Sequence, residues 1–379
     1  MKRALGGILI SAAVVAGALA LARSSVGVAE PSARASAPAP ALAAAPSPTP
    51  TPARAPAPAP APAPPLAPAP ALPLPRPSRP QFVLVGFDVT PLSPARGTEQ
   101  VLGNVNAGRD PADPPRTFTL FVGTGGMTLA PTRHDLTPEE LPYVGVLPRN
   151  EYVFPYAASL ADIRVTVENI RRLIARGAEI GAHTVRHSHG REFTRERWDF
   201  ELEDHARILD VLGLDHPIGF RAPFLETNDA LYDSLAAHGY TYDCSATESR
   251  RRWPTRHGES GVWVFGVPTV AIPGRDRPVL LYDLNLDARL HAAAINAGTS
   301  GETAIHAFMD RAFEDAAYDE FMVRYRGTRA PFLVSGHGGF QRPIGRFMRR
   351  VCGMPDVRCT TFREAAAYMT EHPEMAGAD

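Results

Sequence analysis

The sequence predicts an α/β fold with a parallel sheet for everything after Gln81, and three observations predict it. Apolar, strand-like runs alternate with amphipathic helical stretches almost to the C-terminus, the pattern of strand–helix–strand units. The helical stretches open on Ser, Thr or Asn and close on Gly, as helices with ordinary caps do. Reactive side chains fall where strands end, which is where parallel α/β folds build their sites. A doubly wound sheet and a barrel both satisfy this pattern. No G-x-G-x-x-G follows the first strand and no P-loop occurs, so a nucleotide-binding sheet is disfavoured.

Composition sets the outer bounds. The 379 residues carry 39 basic and 40 acidic side chains, a net charge of -1. A nucleic-acid binder would show a basic excess, which is absent. About half of the 39 prolines precede Gln81. Lys2 and Arg3 lead an uncharged run from Ala4 to Ala22, closed by Arg23, and residues 1–30 are expected to be a signal peptide or an N-terminal membrane anchor. Residues 31–80 alternate Ala and Pro, cannot bury a core, and read as a disordered, semi-rigid linker. The folded domain is expected to span residues 81–372.

The expected strands are Phe82–Phe87, Thr117–Val122, Glu179–Ala182, Ile218–Arg221, Thr241–Cys244, Val279–Tyr282, Phe332–Ser335 and Val357–Thr360. One helix begins after Ser159, repeats Ile163, Val167, Ile170 and Ile174, and stops at Gly177. Another runs from about Thr194 to Leu212 with Trp198, Leu202 and Leu209 on one face, and a third from Asn228 to Gly239. Of three cysteines, Cys352 and Cys359 are spaced to close a short loop in an exported protein, and Cys244 reads as a buried thiol.

Several strand ends each deliver a reactive group. "QFVLVGFDVTP" ends in Asp88, "AHTVRHSHG" presents His183, His187 and His189, "GFRAPF" gives Arg221, "PVLLYDLN" gives Asp283, and "APFLVSGHGG" gives His337. Two imidazoles four residues apart, straight after a strand, can share a divalent cation, and zinc prefers such ligands. His337 is placed to act as a general acid, with Asp283 orienting it; the alternative for Asp283 is a turn aspartate. Gly336, Gly338 and Gly339 around His337 would leave room for a ligand to approach. Arg221 would hold a nearby carboxylate ionised, and the Phe224 N–H, just past Pro223, could donate to an oxyanion.

"FD" after a strand, "HTVRH", "RAPF" and "LVSGH" together resemble the polysaccharide deacetylase family, the NodB-homology or chitin-deacetylase-like carbohydrate esterases. The resemblance implies a distorted (β/α) barrel and metal-dependent removal of acetyl groups from N-acetylated sugars. It implies His183 and His187 as metal ligands, Asp88 as the base, Arg221 as its support and His337 as the acid, with Asp283 a looser match for the residue orienting that acid. Such families carry a second aspartate after the first, and here Val89 stands in that place. Asp88 could then serve as base, as metal ligand, or as neither, with His189 or water filling the vacated position. The expected function is a zinc-type hydrolase that removes N-acetyl groups from an N-acetylglucosamine polysaccharide, chitin-like or peptidoglycan, outside the cytoplasm. A pocket lined by Phe224, Trp198 or Trp263 could stack a sugar ring, although each of these aromatics reads first as core. The alternatives are a degraded barrel that only binds glycans or cell wall, and an O-acetyl esterase with the same machinery.

Overall fold

Alternation along the first strand sends its side chains into two separate apolar clusters. The structure, a computed structural model, describes residues 79–89, 103, 106, 115–146 and 156–378. In β1 (Gln81–Val89), Val83, Val85 and Phe87 enter one apolar cluster while Phe82 and Leu84 enter another. A strand buried on both faces reads as a continuous apolar run, as this one does. The first cluster lies between the sheet and its helices. The second, with Phe121, Tyr242, Trp263, Phe265, Leu333 and Phe362, lies on the opposite face of the sheet. Gly86 and Asp88 continue the Phe82–Leu84 face, because side chains repeat every two residues.

The sheet is curled and mostly parallel. β2 (Thr119–Val122), β3 (Glu179–Ala182), β4 (Gly219–Phe220), β5 (Tyr242–Glu248) and β7 (Trp263–Val270) follow β1 in order, each parallel to the last. β6 (Thr255–Arg256) and β8 (Val279–Leu280) flank β7 antiparallel. β9 (Phe332–Gly336) and β10 (Val357–Thr360) both pair with β1 in parallel, β10 along its first half and β9 along its middle. A parallel bridge from Tyr282 to Ser335 ties the far side of the sheet back to β9. This is the distorted α/β barrel expected from the sequence.

Helices α1 (Leu160–Ala175), α2 (Arg195–Leu212), α3 (Asp229–Ala237), α4 (Asp283–Asn296), α5 (Glu302–Arg326) and α6 (Gln341–Val351) cover the outside, whereas α7 (Phe362–Glu371) packs Phe362, Ala365, Ala366 and Met369 into the second cluster. Ser159, Thr194 and Asn228 cap the first three, each accepting an N–H from the first turn, and Gly213 closes α2 in the left-handed conformation. The sequence reading missed β6 and β7, and also α4 to α7, whose burial is set by tertiary packing. It also set Asp283 at a strand end, whereas Asp283 is the first residue of α4. Cys352 and Cys359 are disulfide-bonded and Cys244 is a buried free thiol. The export run before residue 31 and the Ala/Pro stretch up to residue 78 lie outside the described residues. Among the described residues, no helix is long and apolar enough to cross a membrane.

Candidate active site

Asp88 lies near the end of β1, and Arg221 follows β4 directly. Both are buried, and one guanidinium nitrogen donates to Asp88 Oδ1 at 2.9 Å. The guanidinium fits because residue 86 is glycine: a Cβ there would stand 2.8 Å from an Arg221 nitrogen. Phe121 lies under the guanidinium, its ring centroid 4.3 Å away, a favourable face for a cation. Gly86→Ala is therefore expected to displace Arg221 and cost about 1–3 kcal/mol in a urea melt, as overpacking does; an unchanged melt would show that the cradle is looser than it looks.

The stretch after β3 is a strained loop. Thr184 and His187 have φ of 58° and 52°, and Phe224 and Leu225 across from them have 55° and 58°. Non-glycine residues hold such angles only when their surroundings impose them. Between Thr184 and His187, Glu201 of α2 holds the backbone: one carboxylate oxygen accepts from the Val185 and Arg186 N–H groups, and the other pairs with the Arg186 guanidinium at 2.7 Å. The sequence reading missed Glu201, since a glutamate in a helix ordinarily reads as solvent-facing.

The loop presents two imidazoles side by side, with His183 and His187 ring centroids 4.9 Å apart. His183 Nδ1 lies 2.8 Å from the Arg221 carbonyl oxygen, which assigns the proton to Nδ1 and leaves Nε2 with its lone pair. That buried Nε2 makes no hydrogen bond and faces Asp88 Oδ2 at 3.9 Å. Burial pushes the pKa of both histidines down to about 3, so both rings are neutral at physiological pH. Neutral imidazoles, an outward lone pair and a nearby carboxylate oxygen fit a divalent metal. Among the described residues, no group of three or more His, Cys, Asp or Glu side chains is gathered as a metal cluster, so the fit is that of a two-histidine site bordered by Asp88.

His189 does not join them. Its exposed ring stacks on Phe224 at 3.9 Å and faces Glu226, which removes it as a replacement ligand. Phe224 is 47% exposed and packs its other contacts on His187, so its ring forms the rim of the site. Trp198 and Trp263 are buried in the core, the first reading of these residues, and do not line a sugar-stacking pocket.

Asp283 reaches His337. Its Oδ1 takes the ring at Nδ1 (3.0 Å), and its Oδ2 accepts the N–H groups of His337 and Gly339 at 2.6 and 3.0 Å. Gly336 and Gly339 do not make room for a ligand, as the sequence suggested; a Cβ at either would stand 2.9 Å from Asp283, so they make room for that carboxylate. Burial alone would lower the His337 pKa, but the hydrogen bond and charge of Asp283 outweigh it and raise it. Burial opposes ionisation of Asp283 too, yet the His337 ring and the two N–H donors leave its pKa below the ordinary value. Asp88 differs: burial outweighs Arg221, and its pKa is raised. The sequence had Arg221 simply holding it ionised.

Sequence reasoning also missed Tyr282. Its hydroxyl donates to Asp88 Oδ2, and its ring lies 5.2 Å from that of His337. A tyrosine at the end of an apolar run reads as core, and nothing in the sequence marks its hydroxyl as aimed at a residue 194 positions away.

These features define an α/β barrel with a buried carboxylate–arginine pair, a neutral histidine pair and an aspartate-oriented histidine gathered at one end. Residues 151–242 match the sequence model of the polysaccharide deacetylase family, which includes the loop after β3 and Arg221. A search of curated proteins found no sequence match. Among solved structures, a Mycobacterium smegmatis protein provisionally named a polysaccharide deacetylase aligns over 82% of this chain and 97% of its own, with 16% identity and a TM-score of 0.50. A chitin deacetylase from the fungus Colletotrichum lindemuthianum (12% identity, 72% and 83% covered, TM-score 0.39) and a polysaccharide deacetylase from Bacillus cereus (12%, 75% and 93%, 0.39) also align. The resemblance to the polysaccharide deacetylases read from the sequence holds in this family match and in the fold.

Proposed function

We propose that the protein is a metal-dependent hydrolase that removes N-acetyl groups from an N-acetylglucosamine-containing polysaccharide, chitin-like or peptidoglycan. The observation that carries this reading is geometric: Asp88 held by Arg221, the His183–His187 pair beside it, and His337 held by Asp283 meet in one site. Amide hydrolysis needs a base to take a proton from water and an acid to protonate the departing amine, and both work best when tuned toward operating pH. His183 and His187 would hold a divalent metal, zinc by ligand preference, which when bound supplies Lewis acidity toward the acyl carbonyl. Asp88, held by Arg221, takes the proton of the attacking water. His337, held by Asp283, delivers a proton to the sugar nitrogen as the C–N bond breaks. The Phe224 N–H donates to the developing oxyanion.

The site works outside the cytoplasm in this reading, through the N-terminal run acting as a signal peptide or anchor. The Cys352–Cys359 disulfide supports it, because such bonds persist in oxidising compartments. His183→Ala is expected to abolish stoichiometric zinc uptake by the purified protein, together with acetate release from N-acetylglucosamine oligomers. Full zinc content in that variant would remove the histidine pair as the metal site. Zinc uptake by the native chain without acetate release from any N-acetylated glycan would favour instead a glycan-binding module.

A further inference from the structure

We propose that Tyr282 is a positioning residue that sets the orientation of Asp88 and joins the base of the site to its acid; this rests on the deacetylase reading above. Asp88 has two oxygens and two donors: Arg221 takes Oδ1 and the Tyr282 hydroxyl takes Oδ2. Oδ2 is also the oxygen that faces His183 Nε2. A carboxylate held by one donor can turn about its Cβ–Cγ bond, since that torsion is broad. Held by two donors on opposite oxygens, it has one plane.

The hydroxyl can do this because its own backbone is tied down. Tyr282 is 6% exposed, bridges in parallel to Ser335 of β9, and caps α4, its carbonyl accepting the N–H groups of Asn285 and Leu286 at 3.0 and 3.1 Å. Adjacent Asp283 holds the His337 ring and main chain. One dipeptide at the start of one helix therefore holds the carboxylate through its first residue and the histidine through its second. The Tyr282 ring fills the space between them, 5.2 Å from His337 and 6.0 Å from the Arg221 guanidinium. Misplacing a reacting group by about 1 Å can cost 10²-fold in rate, so this clamp acts on turnover more than on substrate affinity.

Tyr282→Phe keeps the ring and removes only the donor. With N-acetylglucosamine oligomers and the zinc-loaded protein, kcat is expected to fall by about 10- to 100-fold with KM within about twofold. A kcat within twofold of the native value, or a loss confined to KM, overturns the proposal. A crystal structure of the variant gives a readout that needs no activity: the Asp88 carboxylate is expected to rotate away from its native plane or to occupy two orientations. An unmoved carboxylate overturns the proposal even if turnover falls. If the native protein releases no acetate, the deacetylase reading fails, and the crystallographic comparison still decides whether Tyr282 positions Asp88.

Discussion

Asp88→Asn is expected to lower acetate release by about 10²- to 10⁴-fold, the usual worth of a positioned proton acceptor. The asparagine keeps the volume of the side chain and, with one oxygen in place of two, can still accept from Arg221, while its NH2 group meets the Tyr282 hydroxyl, which then accepts. It cannot take a proton from water. The same change leaves the Arg221 guanidinium, which is fully buried, without its countercharge. Breaking one side of a buried pair typically costs about 3–5 kcal/mol, so the variant should also melt at lower urea concentration. Activity should therefore be compared per folded molecule, at urea-free conditions where both proteins are native by circular dichroism. Near-native acetate release by folded Asp88→Asn would show that the carboxylate is not the base, and the hydrolase mechanism would need another acceptor.

Asp283→Asn is the second large effect, and its sign can be worked through. His337 has a pKa raised above 6.5 by Asp283 against an opposing desolvation. The protonated ring is the acid, so the alkaline limb of kcat/KM should lie above 6.5 in the native enzyme. Removing the charge of Asp283 leaves desolvation in command, and the limb should move to lower pH. Loss of ring orientation should reduce kcat by about 10²- to 10⁴-fold as well. The pair also links folding to pH. A raised histidine pKa stabilises the fold fully below its ordinary value of 6.5 and loses that contribution as pH rises through the folded value. A lowered aspartate pKa stabilises above its ordinary value of 3.8 and loses that contribution as pH falls through the folded value. The pair's stabilisation is thus complete between about 3.8 and 6.5, and Asp283→Asn should flatten the melting profile on both sides of that window. An alkaline limb that stays in place would separate Asp283 from the titration of His337.

Much of the site was legible because chemistry-bearing residues sit next to strong local signals. His183 follows Glu179–Ala182, a four-residue buried strand with the bounds the sequence predicts. His337 follows an apolar run ended by glycines, and Asp88 ends the first such run. The partnerships between them were less legible. Asp283 touches His337 across 54 positions and Arg221 touches Asp88 across 133. Glu201, Tyr282 and the role of Gly86 left no local trace, because each acts through a contact made by packing.

The two histidines show the division most plainly. Their spacing came from the sequence, but their ability to face one point came from left-handed backbone at Thr184 and His187, imposed by the Glu201 carboxylate. The sequence by itself determined the alternation of β1 to β5 with α1 to α3, the caps of those helices, the apolar run of β1 and the residues offered at the strand ends. These follow from periodicity and local hydrogen bonding, which act over a few residues. Only the tertiary structure decided which oxygen of Asp88 meets which donor and that His189 turns outward. Those outcomes depend on the curl of the sheet, which brings side chains from distant strands within hydrogen-bond reach at one end of the barrel.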